Sequence, residues 1–222
     1  MELINLHHIS KYYGAKKNIP AVRSFDMTIQ QGEMLAIMGR SGSGKSTVLN
    51  IIAGIDKPSG GTYLFEGKDM TKVTGDHMTH FRRENIGVVF QHFALVDDYT
   101  VYNNIAIPLK LQKLSKSEID KRVRDMAEKL GISALLSKYP KELSGGEAQR
   151  TAIARAVIAK PKLILADEPT GALDEENGSK IMQVFRKLHD QGNTIVIVTH
   201  DPGIAAMCER TVWIKDGKNQ TT

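Results

Sequence analysis

The segment Gly39-Arg-Ser-Gly-Ser-Gly-Lys-Ser46 carries the strongest structural signal in this 222-residue sequence. It has the form G-x-x-x-x-G-K-[ST], in which glycines let the backbone wrap around a polyphosphate and donate successive N–H groups to its oxygens. An apolar run typical of a buried strand, Met34-Leu-Ala-Ile-Met38, precedes it, and an apolar, helix-like stretch at residues 48–55 follows it. Because the mechanism needs this order of strand, loop and helix, the sequence predicts a nucleotide site here rather than a chance glycine-rich turn.

The side chains of this loop predict how it holds its ligand. Lys45 is expected to reach the β- and γ-phosphates and Ser46 to hold Mg²⁺, while the following helix directs the positive end of its dipole at the anion. The residues that we expect to bind the nucleotide through this loop are Gly39, Arg40, Ser41, Gly42, Ser43, Gly44, Lys45, Ser46 and Thr47.

Short apolar runs elsewhere predict a parallel β-sheet. Ile86-Gly-Val-Val-Phe90, Leu163-Ile-Leu-Ala166 and Thr194-Ile-Val-Ile-Val-Thr199 each end in polar residues, as strands buried on both faces do. A helix pattern separates the last two runs and stops near Gly192. Strand, helix, strand is the right-handed unit of an α/β sheet, so the predicted fold class is α/β.

Two other regions have different patterns. Residues 3–9, 25–29 and 61–65 have the pattern of strands joined by turns, which predicts an antiparallel flank. Residues from about 92 to 160 have helical patterns, including a capping box at Ser115-Lys-Ser-Glu118 and a second helix expected after Leu143-Ser-Gly-Gly146. We therefore expect one domain, 1–222, with a core at about 1–91 and 161–222 and an inserted α-helical subdomain at about 92–160.

Composition limits the class of protein. With 41% hydrophobic and 25% charged residues the chain has enough apolar material for a core, which excludes a disordered tail or a collagen-like repeat. The single cysteine, Cys208, excludes an intrachain disulfide and fits a reducing compartment. The apolar runs are far shorter than the roughly 20 residues of a membrane span. The formal net charge of +5 suits nucleic acid, an anionic membrane face or a phosphorylated ligand, so charge selects no partner.

Acidic residues follow a predicted strand at Leu163-Ile-Leu-Ala-Asp167-Glu168. Asp167 suits Mg²⁺ as a hard oxygen ligand, and Glu168 suits polarising the water that attacks the γ-phosphate. Alone, such a pair is ordinarily a solvated loop or a helix cap. Here Lys45, the acidic pair and His200 each follow a buried strand, and the carboxyl ends of parallel strands meet at one sheet edge. That convergence favours a catalytic site.

The segment Leu143-Ser-Gly-Gly-Glu147 leads into an alanine-rich helix pattern. Exposed N–H groups, a hydroxyl and a helix N-terminus would together make a second anion site. A serine before a helix is also the commonest cap, so propensity alone leaves both interpretations open.

Taken in order along the chain, these motifs resemble the ATP-binding-cassette (ABC) ATPases. The phosphate loop, Gln91 after Val-Val-Phe, the segment at residues 143–147, Asp167-Glu168, Gly171-Ala-Leu-Asp174 and His200 fall in that family's order, and the resemblance covers essentially the whole chain. The Leu-Ser-Gly-Gly signature is the discriminating element, because ordinary phosphate-loop ATPases lack it. The resemblance implies a P-loop (RecA-like) ATPase core that binds ATP and Mg²⁺ and hydrolyses ATP to ADP and phosphate.

The resemblance also implies roles for single residues. Tyr13 corresponds to the aromatic that stacks on adenine; Tyr12 is its nearby rival, and a plain surface tyrosine is the alternative. Gln91 corresponds to the glutamine that contacts Mg²⁺ and the attacking water and links the core to the helical insert. The implied catalytic residues are Glu168, His200, Gln91 and Lys45, and the implied metal ligands are Ser46, Gln91 and Asp167.

Members of this family close as head-to-tail dimers with two ATP molecules between the protomers. By resemblance, Ser144, Gly145 and Gly146 bind the γ-phosphate of the ATP held by the other protomer, Asp174 crosses the interface, and His200 holds the γ-phosphate. Glu147 stands where glutamine is commoner. It is a familiar variant, and Glu168 is present, so we expect an active ATPase.

Looser motifs, including Thr100-Val-Tyr-Asn-Asn-Ile105 and Thr199-His-Asp-Pro202, resemble one bacterial subfamily, the macrolide-exporter, lipoprotein-release and antimicrobial-peptide-resistance type. The resemblance implies a cytoplasmic subunit, peripheral on the inner face of the membrane, that powers permeases with a large extracytoplasmic domain. The alternative is a cell-division-type ATPase that gates an extracytoplasmic partner and transports nothing. A soluble ATPase acting on DNA or ribosomes is disfavoured, because the chain has one cassette and a single cysteine, so no nucleic-acid partner is expected.

Overall fold

The computed structural model describes residues 1–14 and 18–220 and consists of two compact units. The first unit contains Met1–Arg82 and Gly192–Thr222, and the second contains Arg83–Gln191. In chain order the elements are β1 (Glu2–Tyr13), β2 (Ile19–Gln30), β3 (Met34–Met38), α1 (Lys45–Ile52), β4 (Gly60–Phe65), β5 (Lys68–Asp69), α2 (Gly75–Asn85), β6 (Ile86–Phe90), α3 (Val101–Leu111), α4 (Lys116–Lys129), α5 (Gly145–Val157), β7 (Leu163–Asp167), α6 (Glu175–Asp190), β8 (Thr194–Thr199), α7 (Pro202–Ala205), β9 (Arg210–Lys215) and β10 (Lys218–Asn219). Short 3₁₀ turns lie at Met70–Lys72, Ser133–Leu135 and Pro140–Glu142.

An antiparallel sheet in the first unit has the strand order β2-β1-β4-β5. Its buried face carries apolar residues from β1, β2 and β4, and the polar residues between them face outward, as alternation along a half-buried strand requires. The buried members are Leu3, Ile4, Leu6, Ile9, Val22, Phe25, Met27, Ile29, Tyr63 and Phe65. The predicted antiparallel flank is confirmed.

Parallel strands form the other layer of the first unit. β3 pairs in parallel with β8 on one side and with β9 on the other, and β10 pairs antiparallel with β9. Every residue of β3 and β8 is buried, which explains why both are unbroken apolar runs in the sequence. The register aligns Met38 with Thr199, so the loops that follow β3 and β8 leave the same edge of this layer.

The second unit combines a parallel strand pair with helices. β6 and β7 run in parallel with Phe90 opposite Asp167, and both strands were predicted from their apolar runs. Helices α3, α4 and α5 enclose an apolar cluster whose buried members are Val101, Ile105, Ala106, Leu109, Ile119, Val123, Ala127, Ile132, Leu135, Ala154 and Ile158. The α/β fold class with antiparallel and parallel sheets is confirmed.

Helix caps follow the predicted sequence signals, with two differences in detail. Ser115 caps α4 by accepting from the Glu118 N–H at 3.3 Å, while the Glu118 carboxylate accepts from Arg122 one turn later at 2.6 Å. Helix α5 begins at Gly145 and not after Gly146 as predicted, because Ser144 is the residue that caps the helix.

A buried asparagine fixes the chain segment that leads into α3. The fully buried Asn104 side chain accepts from the Val96 N–H at 2.8 Å and donates to the carbonyls of Val96 and Tyr99 at 3.1 and 3.0 Å. Thr100 caps the same helix through the Asn103 N–H. These bonds give the Thr100–Ile105 motif a structural role, because they satisfy backbone groups that the segment leaves without a helical partner.

Candidate functional site

The phosphate loop of the first unit connects β3 to α1, and its glycines are required by close backbone packing. A Cβ atom on Gly39 would lie 2.2 Å from the Ile214 carbonyl oxygen. Gly44 has φ +106°, and a Cβ atom there would lie 2.5 Å from the Ala21 carbonyl oxygen. Any other residue at either position would force the neighbouring backbone to move.

The same loop has unsatisfied polar groups that suit a polyphosphate. Gly42 has φ +75° and open space where a Cβ would lie, so a ligand can approach its backbone closely. Ser43 Oγ is buried, and among the described residues it has no hydrogen-bond partner. Gly44, the residue before helix α1, provides no side-chain cap, so the first N–H groups of the helix are available at its positive end. The loop therefore fits the phosphate groups of a nucleotide.

Lys45 belongs to the phosphate loop, and His200 belongs to the loop that follows β8. The Lys45 side chain is 7% exposed, and its Nζ donates to the carbonyls of Gly39 and Arg40 at 2.9 and 3.2 Å. These bonds hold the ammonium group within the loop, where it can exchange backbone oxygens for phosphate oxygens. His200 is exposed and directly follows β8, at the edge from which the phosphate loop also leaves.

Tyr13 is held by a polar cluster that sequence reasoning missed. Its hydroxyl donates to Asp56 Oδ2 at 2.6 Å, and Lys11, which pairs with Asp56, lies 4.9 Å from the centre of the Tyr13 ring. Burial raises the pKa of the Tyr13 hydroxyl and the Asp56 carboxylate raises it further, while Thr47 of the phosphate loop hydrogen-bonds to it and acts in the opposite direction. The ring is therefore fixed beside the loop that is predicted to bind phosphate.

Asp56 is the anchor of this cluster. Burial of its carboxyl acts to raise the pKa, but hydrogen bonds from Lys11, Tyr13 and the Lys57 N–H outweigh it and the pKa is lowered. A charged carboxylate thus holds two donors around the ring. Tyr12, the rival aromatic, is equally exposed at 39% and has its backbone N–H bonded to Ser59.

The second unit brings Gln91, Asp167 and Glu168 together on its strand pair. Gln91 follows β6 and Asp167 ends β7, and the residues Phe90 and Asp167 are opposite each other in the parallel register. The Gln91 amide lies where a side chain on Gly171 would be, since a Cβ there would come within 2.8 Å of Gln91 Nε2. The Gly171 N–H in turn donates to the Glu168 carbonyl at 3.0 Å.

Glu168 has a strained backbone. Its φ of +48° lies in the left-handed region that non-glycine residues rarely adopt. Such conformations cost free energy and concentrate at functional sites, where they fix the direction of a side chain. The conformation favours the catalytic interpretation of Glu168 over that of a solvated loop residue.

The signature segment is a capped helix N-terminus. Ser144 Oγ accepts from the Glu147 N–H at 3.4 Å, and the Glu147 carboxylate accepts from the Ser144 N–H and hydroxyl at 2.8 and 2.9 Å. These two hydrogen bonds lower the pKa of Glu147, with burial acting against them and the charges of Lys138 and Arg150 adding to them. The capping interpretation is confirmed, and the interpretation of this helix end as a second anion site stays a prediction.

Asp174 and the signature glycines are linked through Asn177, a second residue that sequence reasoning missed. Asp174 caps α6 by accepting from the Asn177 N–H and side chain, both at 2.8 Å, and these bonds lower the pKa of its carboxyl. A Cβ atom on Gly146 would lie 2.8 Å from Asn177 Oδ1, and one on Gly145 would lie 3.0 Å from Leu173. The glycines thus let the start of α5 approach the loop that carries Asp174.

Two more residues of α5 tie this helix to the predicted catalytic loops. Gln149 is fully buried and donates to the Pro169 carbonyl, just after Glu168, at 2.7 Å. Arg155 donates to the carbonyls of Phe93 and Ala94, just after Gln91, at 3.0 and 2.7 Å. Their only sequence signal is a polar side chain inside an alanine-rich helix.

The predicted site residues fall into two groups, one in each compact unit. The first unit holds Tyr13, residues 39–47 and His200, and the second holds Gln91, Ser144, Gly145, Gly146, Asp167, Glu168 and Asp174. That the two groups form one catalytic site remains a prediction, as does each assigned role.

Known proteins resemble this chain over most of its length. The profile of the family described as ABC transporter matches residues 22–171. An uncharacterized ABC transporter ATP-binding protein of Bacillus subtilis (strain 168), YvrO, is 44% identical over 217 residues, which cover 97% of this chain and 95% of that protein. The bacitracin export ATP-binding protein BceA of Halalkalibacterium halodurans is 41% identical over 223 residues, covering 100% of this chain and 88% of that protein.

A solved structure gives the same picture. The dimeric structure of an ATP-binding cassette in a post-hydrolysis state, bound to ADP and Pi, has a TM-score of 0.91 and 39% sequence identity, and the match covers 99% of this chain and 97% of that one. Within the described residues, no helix of this chain combines the length and the apolar character needed to cross a bilayer.

Proposed function

Because this chain belongs to the ABC transporter family of ATPases, we propose that it is the ATP-hydrolysing subunit of a bacterial exporter and works as a dimer on a membrane permease. The observation that carries the proposal is the phosphate loop, an open glycine-rich turn that leads into a helix without a side-chain cap. Its buried Ser43 hydroxyl has no hydrogen-bond partner among the described residues. A polyphosphate supplies acceptors for all of these donors.

The first unit binds the nucleotide. The Tyr13 ring stacks on adenine, the N–H groups of residues 39–47 surround the β- and γ-phosphates, and Lys45 transfers its hydrogen bonds from backbone carbonyls to phosphate oxygens. His200, on the adjacent loop, holds the γ-phosphate. Ser46, Gln91 and Asp167 supply hydroxyl, amide and carboxylate oxygens, a donor set that suits Mg²⁺, which would neutralise charge on the phosphates during hydrolysis.

The second unit provides the residue that activates the attacking water and the residues that contact the ATP of the other protomer. Glu168 accepts a proton from the attacking water, and its left-handed backbone sets the direction of the carboxylate. Ser144, Gly145 and Gly146 direct the N-terminus of α5 at the γ-phosphate of ATP bound to the other protomer, beside Asp174. ATP bound in this way bridges the two protomers and favours the closed dimer, which opens when hydrolysis removes the bridge.

The relatives support a proposal for the membrane partner and for the class of cargo. One relative is named as a bacitracin export protein, so a peptide antibiotic is the cargo class that we propose. The partner is an integral membrane permease with a large extracytoplasmic domain, which makes this chain a peripheral protein of the inner membrane face. The helical segment at about 92–160, with Gln91 at its start, is the part that we expect to contact the permease.

Lys45→Ala tests the nucleotide site. Loss of a charge-assisted contact is expected to raise the Kd of a fluorescent ATP analogue about 10- to 100-fold, because such a bond contributes about 1.5–3 kcal/mol. Lys72→Ala is a matched control, since Lys72 is an exposed lysine that pairs with Asp69. Equal affinity of wild type and Lys45→Ala would contradict the assignment of the phosphate loop.

A membrane pull-down tests the partner. Tagged Glu168→Gln protein is expressed in the native host, membranes are solubilised with and without MgATP, and mass spectrometry identifies what co-purifies. We expect a permease with a large extracytoplasmic domain. Recovery of soluble or nucleic-acid-bound partners alone would refute the exporter proposal while leaving the ATPase assignment intact.

A further inference from the structure

His7 and His8 of β1 and Asp26 of β2 form a side-chain cluster that has no part in the proposed ATPase reaction. Successive residues of a regular strand point to opposite faces of the sheet, so adjacent histidines should be separated. Here the two imidazole rings are instead stacked, with centroids 4.0 Å apart and planes inclined by 35°. The two Nδ1 atoms lie 3.2 and 3.3 Å from the two oxygens of the Asp26 carboxylate.

A β-bulge produces this arrangement. Leu6 pairs with Met27 and Ile9 pairs with Phe25, so two residues of β1, the histidines, lie opposite the single residue Asp26. The bulge carries His8 into the left-handed region at φ +50°. An extra residue on one strand turns neighbouring side chains toward the same face, which is how both rings reach one carboxylate.

Two further contacts make the bulge specific. Gly61 of β4 has φ +90°, and a Cβ atom there would lie 2.4 Å from the His8 carbonyl oxygen, so a glycine is needed to admit the bulge. Asp26 is fixed at its backbone, because its N–H donates to Asn219 Oδ1 at 2.8 Å and its carbonyl accepts from Asn219 Nδ2 at 2.7 Å.

The side chains of the cluster are oriented as well. The His8 N–H donates to Asp26 Oδ1 at 2.8 Å, and Ser24 Oγ lies 3.1 Å from His8 Nδ1. The bond from the His8 N–H orients the Asp26 carboxylate, as outer contacts do in metal sites. The Ser24 hydroxyl contacts the His8 nitrogen that faces Asp26, so it has to leave this atom when a metal ion binds. Among the His, Cys, Asp and Glu side chains of the described residues, these three form the one group that offers three ligand atoms for a metal ion, all within 4.8 Å of one another.

We propose that a divalent transition-metal ion such as Zn²⁺ binds to His7, His8 and Asp26 and so links β1 to β2. Zn²⁺ bonds to nitrogen and oxygen are about 2.0–2.2 Å long, and two ligands of a tetrahedral ion are then about 3.3–3.5 Å apart. The nitrogen–oxygen separations of the cluster match that distance. Three protein ligands on an exposed sheet leave the fourth position for water or for a group of a partner.

Zn²⁺ titration of the untagged, chelator-treated full chain tests this proposal. Isothermal calorimetry is expected to give one Zn²⁺ per chain, and Co²⁺ bound at the same site should give the visible absorption of a tetrahedral ion. The double variant His7→Gln/His8→Asn, with asparagine chosen because it tolerates the left-handed backbone, is expected to weaken Zn²⁺ binding by at least about tenfold. Asp26→Asn tests the carboxylate separately and should weaken binding by a similar factor.

His77→Gln/His80→Gln is the matched control, because it removes two exposed histidines three residues apart on α2. We expect this variant to bind Zn²⁺ like the wild type, and Zn²⁺ to raise the thermal midpoint of both but not of the cluster variants. The proposal is overturned if the wild type takes up no stoichiometric Zn²⁺, if the cluster variants bind it unchanged, or if the control variant loses it.

Discussion

At the scale of the residue, the cluster of Lys11, Tyr13 and Asp56 gives the adenine-binding assignment a physical basis. A surface tyrosine ordinarily loses side-chain entropy when it stacks on a base. Here the Asp56 hydrogen bond and the Lys11 ammonium already hold the ring, so less entropy is lost when the nucleotide binds. Tyr12, the adjacent residue, is equally exposed, and among the described residues its side chain has no hydrogen-bond partner, while its backbone N–H is bonded to Ser59.

The neighbouring tyrosines provide a sharp test. Tyr13→Ala is expected to raise the Kd of ATP about 5- to 100-fold, because stacking of a base on an aromatic ring contributes about 1–3 kcal/mol. Tyr12→Ala should leave the Kd nearly unchanged. Asp56→Ala, which frees the ring without removing it, should give a smaller increase than Tyr13→Ala. A larger effect of Tyr12→Ala in the same titration would move the adenine contact to the rival residue.

Glu147 predicts a pH dependence of stability. Its pKa is lowered in the folded chain, so its bonds to Ser144 stabilise the fold above the unfolded pKa and are lost as pH falls through the folded value. A carboxylate charge near the positive end of a helix, such as that of Glu147 in α5, contributes about 0.3–1 kcal/mol to the free energy of unfolding. The free energy of unfolding of wild type is therefore expected to exceed that of Glu147→Gln above about pH 5, and the difference should vanish at acidic pH, below the ordinary value of 4.5.

Denaturant titrations of both proteins from pH 3 to 8 would measure this difference. A gap that persists undiminished at the acid end, or that is absent at pH 7, would show that the carboxylate charge is not what stabilises the start of α5.

The sequence predicted candidate chemical residues but not the residues that support them. Lys45, Asp167 and the signature serine could be proposed because their residue types and spacing are tied to phosphate chemistry, and their roles stay predictions. Asp56, Asn177 and Gln149 were missed because acidic and amide side chains are common on surfaces. Their role appears only when folding places them against Tyr13, Asp174 and the backbone after Glu168.

At the scale of the element, α5 organises the second unit. Its N-terminus carries the signature, Gln149 bonds to the turn after β7, and Arg155 bonds to two consecutive residues after β6 that have left-handed backbones, Phe93 and Ala94. Burial lowers the pKa of the Arg155 guanidinium. The helix is therefore connected to both loops that are predicted to act in hydrolysis.

Arg155→Ala tests how much this connection contributes to the free energy of unfolding. The two carbonyls would lose a charged donor, so the free energy of unfolding is expected to fall by about 2–4 kcal/mol. Arg155→Lys should recover part of it, since a single ammonium group cannot reproduce the planar fork of a guanidinium. Arg124→Ala is the matched control, because Arg124 forms a solvent-exposed pair with Asp120 one turn away, and such pairs contribute little to the free energy of unfolding.

Chemical denaturation followed by circular dichroism measures all three variants. Equal losses for Arg155→Ala and Arg124→Ala would mean that the bonds to Phe93 and Ala94 do not hold the loop.

Some elements were predictable from the sequence and others were not, for identifiable reasons. β3, β6 and β8 match their predicted bounds because each is an apolar run that ends at glycine or a polar residue. β3 and β8 are fully buried, whereas β6 is buried in part. The bulge at His7-His8 was not predictable, because it depends on the absence of a side chain at Gly61 on another strand. The start of α5 shifted because the Ser144 cap draws both glycines into the first turn.

At the scale of the whole molecule, the chain consists of two compact units whose boundaries fall near residues 82 and 192. The expected division into a core and a helical subdomain at about 92–160 rests on sequence pattern and remains a prediction. Each unit holds one group of the proposed site residues. The proposed function needs the signature of one protomer at the ATP of the other. An ATP-bridged dimer is therefore the central claim of the proposed function.

Oligomeric state measured by size-exclusion chromatography with light scattering tests that claim most directly. Glu168→Gln with MgATP is expected to elute at twice the 24.6 kDa mass of the chain and with ADP at the single mass. In the same background, Ser144→Asp and Ser144→Asn both preserve the cap, but only aspartate repels a phosphate, so dimer should persist with asparagine and disappear with aspartate. A Glu168→Gln protein that binds ATP yet stays monomeric, or that dimerises equally well with aspartate at 144, would contradict the ATP-bridged dimer.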